Sequence, residues 1–297
     1  MKLKKKDIVA VIVTFNPDIE KLLYNLKYIQ KNFIQIIIVN NSKKYLFNKI
    51  SKKIICIENK KNLGLAKGQN IGIKKAIRLN YKAVCLLDQD TLIDKKFLKS
   101  MIYFINKYGD RNKVSSFSPV YKNIVTNQNA KNIIFKFLGF TRIDPNKVKS
   151  NYLKVTYSIA SGTIIETDKI KKIGYMLEKL FIDFVDIEWH LRANYKGFQN
   201  ISLQKVKIKQ ELGDYEKRIF NKVYSIHSPL RMYYYFRNSV YLYKKKYVEI
   251  NWILTELFRN FFRFLFFILF MKNRSKYFKN IINGIFDGLR NKMGKLN

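Results

Sequence analysis

Two aspartates, Asp88 and Asp90, directly follow the apolar run 83–87 and are separated by one residue. Carboxylates at the end of a buried strand can offer oxygen ligands to a hard divalent cation, which keeps several waters and also binds diphosphate oxygens. A cation held there would offset the negative charge that develops as a nucleoside diphosphate leaves. The pair therefore predicts a cation and phosphate site, with a solvated turn or a helix N-cap as the structural alternative.

Further acidic residues lie in the segment 181–192. The pattern predicts a helix that begins near Asp186 and carries Trp189 on the same side. The Asp186 carboxylate could then take a proton from an attacking hydroxyl group, beside an apolar platform formed by Trp189. Asp183 and Glu188 are alternatives for this role, and a helix cap and a surface ion pair are their structural explanations.

Three glycines, Gly64, Gly68 and Gly72, are spaced four residues apart in the segment 62–72. Glycines near the start of a helix allow the backbone to approach a ligand closely, and the helix start favours an anion. The segment therefore predicts a contact with a phosphorylated ligand. Close packing of the helix on a neighbouring element is the structural alternative.

Short apolar runs alternate with amphipathic stretches over the first 90 residues, and this alternation predicts an α/β fold with a mostly parallel sheet covered by helices. In such sheets ligands bind beyond the carboxyl ends of the strands, where the polar segments 14–16, 40–42 and 88–90 fall. Strands are predicted at residues 8–14, 34–39, 54–57, 83–87, 114–120, 162–166 and 201–208, and helices at residues 18–31, 64–79, 168–173 and 186–195.

Residues 221–297 differ from the rest, because aromatic and cationic residues alternate there. The segment 252–271 is strongly apolar, but Glu256, Arg259 and Arg263 interrupt it. A helix that spans a membrane needs about 20 mainly apolar residues. We therefore predict a helix that lies in the membrane interface, with a helix packed on the catalytic part and a true membrane span as the alternatives.

The chain carries 58 lysines and arginines against 21 acidic residues, a net charge of +37. Such a surface attracts anionic lipid or polyanions, although a biased source composition also explains part of the charge. A nucleic-acid-binding protein is the competing class, but we find no zinc-finger spacing, RNP-like segment or helix-turn-helix signal. No signal-peptide pattern is found, so the expected location is cytoplasmic, peripheral on the inner face of the cell membrane.

Several motifs occur together and in a characteristic order: residues 14–16, 62–72, 88–90, 181–189 and 227–238. With them the sequence resembles the family 2 glycosyltransferases, which have the GT-A fold, a Rossmann-like nucleotide-binding sheet. Within that family it is most similar to the bacterial rhamnosyltransferases of surface polysaccharide synthesis. Three of the motifs carry this closer similarity, namely Leu86-Leu-Asp-Gln-Asp90, Phe181-Ile-Asp-Phe-Val-Asp-Ile-Glu-Trp189 and His227-Ser-Pro-Leu-Arg-Met-Tyr-Tyr-Tyr-Phe-Arg-Asn238.

The resemblance implies inverting transfer of a sugar, L-rhamnose from dTDP-rhamnose, onto a lipid-linked or growing surface polysaccharide. UDP-galactofuranose, UDP-glucose and UDP-N-acetylglucosamine are alternative donors. A divalent cation, Mg²⁺ or Mn²⁺, is implied as cofactor. The expected catalytic domain is 1–220, with a nucleotide-sugar half (1–110) and an acceptor half (111–220), followed by a helical, membrane-associating extension (221–297).

The resemblance also implies roles for individual residues. Asp186 is the expected base, with Asp183 and Glu188 as rivals. Asn40 stands where the family usually has an aspartate that recognises the pyrimidine. The expected nucleotide-sugar contacts are Thr14, Phe15, Asn16, Asn40, Gly64, Asn70 and Asp88. Trp189, Arg231 and Arg237 are expected on the acceptor and diphosphate side, and Asp90, Asp88 and His227 are the candidate metal ligands.

Overall fold

The computed structural model describes residues 2–46, 51–124, 128–136, 139–210, 215–219 and 222–296. Its strands are β1 (Ile8–Thr14), β2 (Ile36–Asn40), β3 (Ile54–Glu58), β4 (Ala83–Asp88), β5 (Val114–Asn123), β6 (Asn132–Lys136), β7 (Gly139–Ile143), β8 (Tyr152–Val155), β9 (Ile164–Glu166), β10 (Gln199–Gln210), β11 (Tyr215–Ile219) and β12 (Lys222–Ile226). Its α-helices are α1 (Ile19–Asn32), α2 (Leu65–Arg78), α3 (Phe97–Lys107), α4 (Thr167–Ile173), α5 (Val185–Tyr195), α6 (Pro229–Tyr243), α7 (Ile250–Phe270) and α8 (Arg274–Leu289).

Eight strands form one central sheet in the order β3-β2-β1-β4-β9-β5-β10-β8. The first four strands in this order run parallel, whereas β9 is antiparallel to both β4 and β5. Strands β1 and β2 consist almost wholly of buried β-branched residues, because helices cover both faces of a parallel sheet. The predicted α/β fold with a mostly parallel sheet is confirmed.

One face of the sheet packs against α1 and α3, and the other face packs against α2, α4 and α5. Helix α2 lies very close to β1: a Cβ atom at Gly68 would be 2.6 Å from Val13 Cγ1, and one at Gly72 would be 2.3 Å from Val11 Cγ1. These two glycines therefore serve helix packing, the alternative to an anion contact. The close approach fixes the start of α2 beside the carboxyl end of β1.

The last three helices pack on one another and on the sheet-bearing part of the chain. A Cβ atom at Gly284 would be 2.4 Å from the Tyr233 carbonyl oxygen, and one at Gly288 would be 2.6 Å from that of Arg237, so the backbones of α6 and α8 touch. Strand β12 precedes these helices, so the segment 221–297 is not helical throughout. Of the helices in the described residues, none is both long and apolar enough to cross a membrane.

Candidate active site

The loop after β1 meets the turn after β4 at the carboxyl edge of the sheet. Val13 and Asp88 are neighbours in the β1–β4 register. Just beyond them, the backbone N–H of Phe15 donates to Gln89 Oε1 at 2.9 Å, and the Phe15 ring is 47% exposed. The exposed residue Asn16 has a φ of 42°, a left-handed conformation that turns the chain away from the strand. Phe15 and Asn16 are thus accessible to a ligand, and their contact with a nucleotide stays a prediction.

The turn that holds Asp88 and Asp90 is tied to the segment 159–163 before β9. The backbone N–H of Asp88 donates to Thr91 Oγ1 at 3.1 Å and to Ser161 Oγ at 3.4 Å, and the two hydroxyl groups are bonded to each other. Both aspartates are half-buried. The turn is therefore positioned by hydrogen bonds to the neighbouring segment of the protein.

The same segment reaches Asp186, in the first turn of α5. The backbone N–H of Ala160 donates to Asp186 Oδ2 at 3.1 Å, and that of Ile187 donates to Oδ1 at 2.9 Å. Ala160 and Ser161 are consecutive, so two adjacent residues connect the Asp88 turn to the Asp186 carboxylate. The backbone of Asp88 and the carboxylate of Asp186, the proposed base, are thus anchored by the same short segment.

Burial is the largest influence on the pKa of Asp186, and it raises the pKa above the usual value for an aspartate. The hydrogen bonds from the backbone of Ile187 and Ala160 oppose this rise, whereas the negative charge of Asp183 adds to it. A carboxylate with a raised pKa takes up a proton more readily near neutral pH. The environment of Asp186 is thus suited to a proton acceptor.

The segment before α5 has an unusual backbone. Phe181, Asp183 and Phe184 have φ angles of 66°, 60° and 62°, a region that costs roughly 1–2 kcal/mol per residue outside glycine. The side-chain amide of Asn238 on α6 donates to the carbonyl oxygens of Leu180 at 3.0 Å, Ile182 at 2.7 Å and Asp183 at 3.1 Å. Asn238 is fully buried, so it holds this backbone from inside the protein.

Gly64, the N-cap of α2, lies directly against this loop. Its φ is 86°, and a Cβ atom there would be 2.5 Å from Phe181 Cδ2. Leu65 N donates to the Phe181 carbonyl oxygen at 2.6 Å. Any side chain at position 64 would push the loop away from α2, which explains the glycine without a ligand. The Asp183 carboxylate, on the other side of the loop, accepts from Arg231 Nε at 3.2 Å.

Thr14 and Asn40, expected to contact the nucleotide, are fully buried and bonded to each other. The Asn40 amide also donates to the Lys44 carbonyl at 2.9 Å and to Glu58 Oε2 at 2.6 Å, and its oxygen accepts from Ser42 N at 3.0 Å. Every hydrogen-bonding position of the amide is thus filled within the protein. We revise the role of both residues from base recognition to support of the loop after β2.

Asn70 and Trp189 also lie inside the protein rather than at its surface. The Asn70 side chain exchanges two hydrogen bonds with the backbone of Met176, at 2.9 and 3.0 Å, and is 2% exposed. The Trp189 ring is fully buried, and its Nε1 donates to the Gly174 carbonyl at 2.8 Å. Neither can touch a sugar in this conformation, so the predicted donor contact and acceptor platform are revised to packing roles.

Two further charged residues serve the structure. The Glu188 carboxylate is fully buried, accepts from Arg192 Nε at 2.7 Å and Nη2 at 3.0 Å, and accepts from Tyr247 Oη at 2.8 Å. The Arg237 guanidinium is 1% exposed and donates to the carbonyls of Gly294 at 2.6 Å and Leu180 at 3.0 Å. Glu188 is thereby removed as a rival base and Arg237 as a diphosphate partner, whereas Arg231 stays at the site.

Asp88 and Asp90 supply two oxygen-bearing side chains for a metal ion. In the parts of the chain that the structure describes, no group of three histidine, cysteine or acidic residues is arranged to hold one. His227 is not grouped with Asp88 and Asp90 among these residues, so its role as a third ligand stays a prediction. Its backbone carbonyl accepts from Tyr277 Oη at 2.9 Å. Two carboxylates still fit a hard cation, because Mg²⁺ commonly takes its other ligands from substrate phosphates and water.

Sequence reasoning did not identify Ala160, Ser161 or Asn238 as site residues. Ala160 acts through its backbone, and Ser161 is one of many serines, so neither carries a chemical signal in the sequence. Asn238 did carry a signal in the sequence, because it is the last residue of the motif 227–238. Its three carbonyl partners lie 55 to 58 residues away, a relation that the fold alone reveals.

The family model for Glycosyl transferase family 2 matches residues 9–174. Among curated proteins, the dTDP-rhamnosyl transferase RfbF of Shigella flexneri is 28% identical to this chain over 289 residues. The alignment covers 96% of each protein. The similarity therefore includes the C-terminal helices as well as the sheet.

Solved structures with a similar fold include TarS residues 1–349 of S. aureus in complex with UDP-GlcNAc. Its TM-score is 0.59 at 17% identity, covering 98% of this chain and 81% of that one. GalNAc-T7 with UDP, GalNAc and Mn²⁺ has a TM-score of 0.58 at 15% identity and covers 94% of this chain, which spans 56% of that structure. These likenesses concern the fold, and they confirm its GT-A architecture.

Proposed function

Because this chain belongs to glycosyl transferase family 2, we propose that it is an inverting glycosyltransferase that moves L-rhamnose from dTDP-rhamnose onto a lipid-linked or growing surface polysaccharide. The observation that carries the choice of donor is the full-length similarity to a dTDP-rhamnosyl transferase. The family match itself extends over more than half of the chain and makes the protein a glycosyltransferase.

The reaction is a single displacement at the anomeric carbon. An acceptor hydroxyl oxygen forms the new bond to this carbon, the bond between the carbon and the diphosphate oxygen breaks, and dTDP leaves with the bonding electrons. The hydroxyl proton passes to the Asp186 carboxylate, whose raised pKa and fixed orientation support this role. Attack from the side opposite to the leaving group inverts the configuration.

Asp88 and Asp90 are the proposed ligands of a divalent cation, Mg²⁺ or Mn²⁺. Such a cation would supply charge compensation for the leaving diphosphate. Phe15 and Asn16 are the proposed contacts for the nucleotide, because they are exposed beside the Asp88 turn. Arg231 and Asp183 form an ion pair at the edge of the same site, where the cation of Arg231 could attract the diphosphate.

A UDP-sugar is the second candidate donor. Its support is the fold shared with a TarS structure that contains UDP-GlcNAc. The two candidates differ in base and sugar but use the same carboxylates.

Calorimetric titration of the full chain with dTDP and with UDP, each with and without Mg²⁺ or Mn²⁺, tests the donor assignment. We expect tighter binding of dTDP that depends on the cation and is lost in Asp90→Asn. Asp94→Asn, which changes an exposed aspartate after the same turn, is the matched control and should bind as the wild type does. A preference for UDP would transfer the assignment to a UDP-sugar.

The proposal includes the inner face of the cell membrane as the place of the reaction. A lipid-linked acceptor is confined to the bilayer, so the enzyme must approach it there. The net charge of +37 supports attraction to an anionic surface.

A further inference from the structure

Helix α7 exposes apolar side chains and turns its charged side chains toward the protein, the reverse of a typical surface helix in water. The side chains on its solvent face are apolar and between 47% and 68% exposed: Leu254, Leu257, Phe258, Phe261, Phe262 and Leu269. They recur at intervals of one, three, four and seven residues, so they form one stripe along the helix. A stripe of this kind needs a cover, because contiguous apolar surface exposed to water marks an interaction site.

The three charged residues of α7 face the protein instead. Glu256 is 2% exposed, and its carboxylate pairs with Arg259 Nη1 at 3.1 Å and with Arg263 Nη1 at 3.6 Å. Tyr235 Oη on α6 donates to Glu256 Oε1 at 2.5 Å. The three residues that interrupt the apolar segment in the sequence are therefore paired with one another around the buried Glu256, with both arginines half-buried, and they do not belong to the exposed stripe.

We propose that the outer face of α7 docks onto an anionic lipid bilayer, with the helix parallel to the membrane plane and its phenylalanines below the head groups. The inference rests on the proposed function in one respect, the lipid-linked acceptor. The partner is phospholipid, and the exposed apolar stripe of α7 is the surface that contacts it.

Charge favours a bilayer over another protein as the cover. Exposed cations lie at both ends of the stripe: Lys246 precedes α7, and Lys272, Arg274 and Lys276 follow it. Cations beside an apolar helix face are attracted by anionic head groups while the apolar residues enter the acyl boundary. A second copy of this chain would instead bring these same cations together.

The stripe continues onto α8, which widens the surface. Phe278 is 50% exposed, and its ring centroid lies 6.0 Å from that of Phe264 on α7. The inner face of α7 packs on the loop before α5, because the ring centroid of Trp252 lies 6.0 Å from that of Phe184, two residues before Asp186. Docking through α7 would thus hold the acceptor side of the site near the lipid surface.

Flotation of the full-length protein with vesicles tests the inference. The probes are vesicles of phosphatidylcholine alone and of phosphatidylcholine with about 30% anionic phosphatidylglycerol, so that the two differ in surface charge. We expect binding to the anionic vesicles, weakened at high salt, and at least tenfold less binding by the triple variant Phe258→Gln, Phe261→Gln and Phe262→Gln. The control Leu79→Gln, Tyr103→Gln and Tyr195→Gln removes exposed apolar groups elsewhere and should bind normally.

Circular dichroism and thermal melting establish that both variants are folded. Equal vesicle binding by the α7 variant and the wild type would overturn the inference, as would absence of wild-type binding. The inference would also be overturned if light scattering showed that the wild type is a dimer and the α7 variant a monomer, because the stripe would then be covered by a second copy.

Failure of this inference is distinguishable from failure of the proposed function. Binding of dTDP measured without vesicles reports on the carboxyl edge of the sheet and should be unchanged in the α7 variant. Normal dTDP binding without vesicle binding would refute the docking of α7 on a membrane and leave the proposed function standing. Vesicle binding by a folded protein that binds neither dTDP nor UDP would refute the function alone.

Discussion

The surroundings of the Asp186 carboxylate determine when it can accept a proton. Burial and the nearby charge of Asp183 raise its pKa, so its deprotonated form is lost at a higher pH than for an exposed aspartate. A base works only when deprotonated. Turnover should therefore fall as the pH decreases through the raised pKa of Asp186.

Asp183→Asn should move this acidic limb of the turnover profile to lower pH. The substitution removes a negative charge that raises the pKa of Asp186, so Asp186 stays deprotonated in more acidic solution. The measurement is kcat as a function of pH for the wild type and the variant. Asp110→Asn, an exposed aspartate beside Lys113, is the control and should leave the profile unchanged. Loss of turnover in Asp183→Asn, with an active Asp186→Asn, would identify Asp183 as the base.

At the scale of secondary-structure elements, the sequence predicted what local patterns encode. Short continuous apolar runs predicted β1, β3 and β4 to within a residue, because such runs are visible in the local sequence alone. Helix α3 was not predicted, although Phe97, Met101 and Ile105 have helical spacing. Strands β6, β7 and β8 were not predicted either, because their sequences show no clear alternation of apolar and polar residues.

Several predicted ligand contacts were revised for a different reason. Asn40, Asn70 and Trp189 occur in motifs that suggest ligand contact, but their partners come from other segments of the chain. Met176, which fills the hydrogen bonds of Asn70, is 106 residues away. A sequence pattern indicates that a polar residue matters, and only the fold shows whether it faces a ligand or the interior.

The contact between α6 and the loop before α5 predicts a role for Asn238 in positioning that loop. Asn238→Ala removes one hydrogen bond from each of three carbonyl oxygens, of which that of Leu180 still accepts from Arg237, and this should lower the free energy of unfolding by about 1–3 kcal/mol. The left-handed residues of the loop would then relax, so turnover per folded molecule should fall roughly tenfold or more, since a misplaced group costs up to about 100-fold. Denaturant titration and kcat of the variant measure the two effects.

Asn260→Ala is the matched control for this prediction. Asn260 is a buried amide on α7 that donates to the side chains of Ser239 at 3.0 Å and Tyr243 at 2.9 Å on α6, and not to the backbone of the loop. The control should lose similar stability and keep its turnover per folded molecule. Equal losses of turnover in both variants would reduce Asn238 to a purely structural residue.

On the scale of the whole molecule, the proposed catalytic part, 1–220, and the extension, 221–297, share one hydrophobic core. Leu242 and Trp252 pack in the cluster that contains Trp189 and the inner residues of β1 and β2. Tyr247 donates to the buried Glu188, and Arg231 pairs with Asp183. We therefore interpret the proposed division as one of function, in which the extension completes the site.

A chain that ends at residue 220 should consequently fail to fold cooperatively. Its core would lose Leu242 and Trp252, and Glu188 would lose the hydrogen bond from Tyr247. Removing large buried side chains costs about 2–5 kcal/mol each, and the sum for two approaches the whole stability of a typical domain. Thermal unfolding followed by near-ultraviolet circular dichroism is the measurement. A sharp transition and normal dTDP binding in the shortened chain would show that 1–220 is independent.

The most direct test of the central claim is transfer of labelled sugar from dTDP-rhamnose, compared with UDP-N-acetylglucosamine, into the lipid fraction of membranes from the source organism. We predict cation-dependent transfer from dTDP-rhamnose by the wild type, and turnover lower by about 100-fold or more in folded Asp186→Asn, the range expected for loss of a general base. Transfer from UDP-N-acetylglucosamine with none from dTDP-rhamnose, or undiminished transfer by Asp186→Asn, would contradict the account.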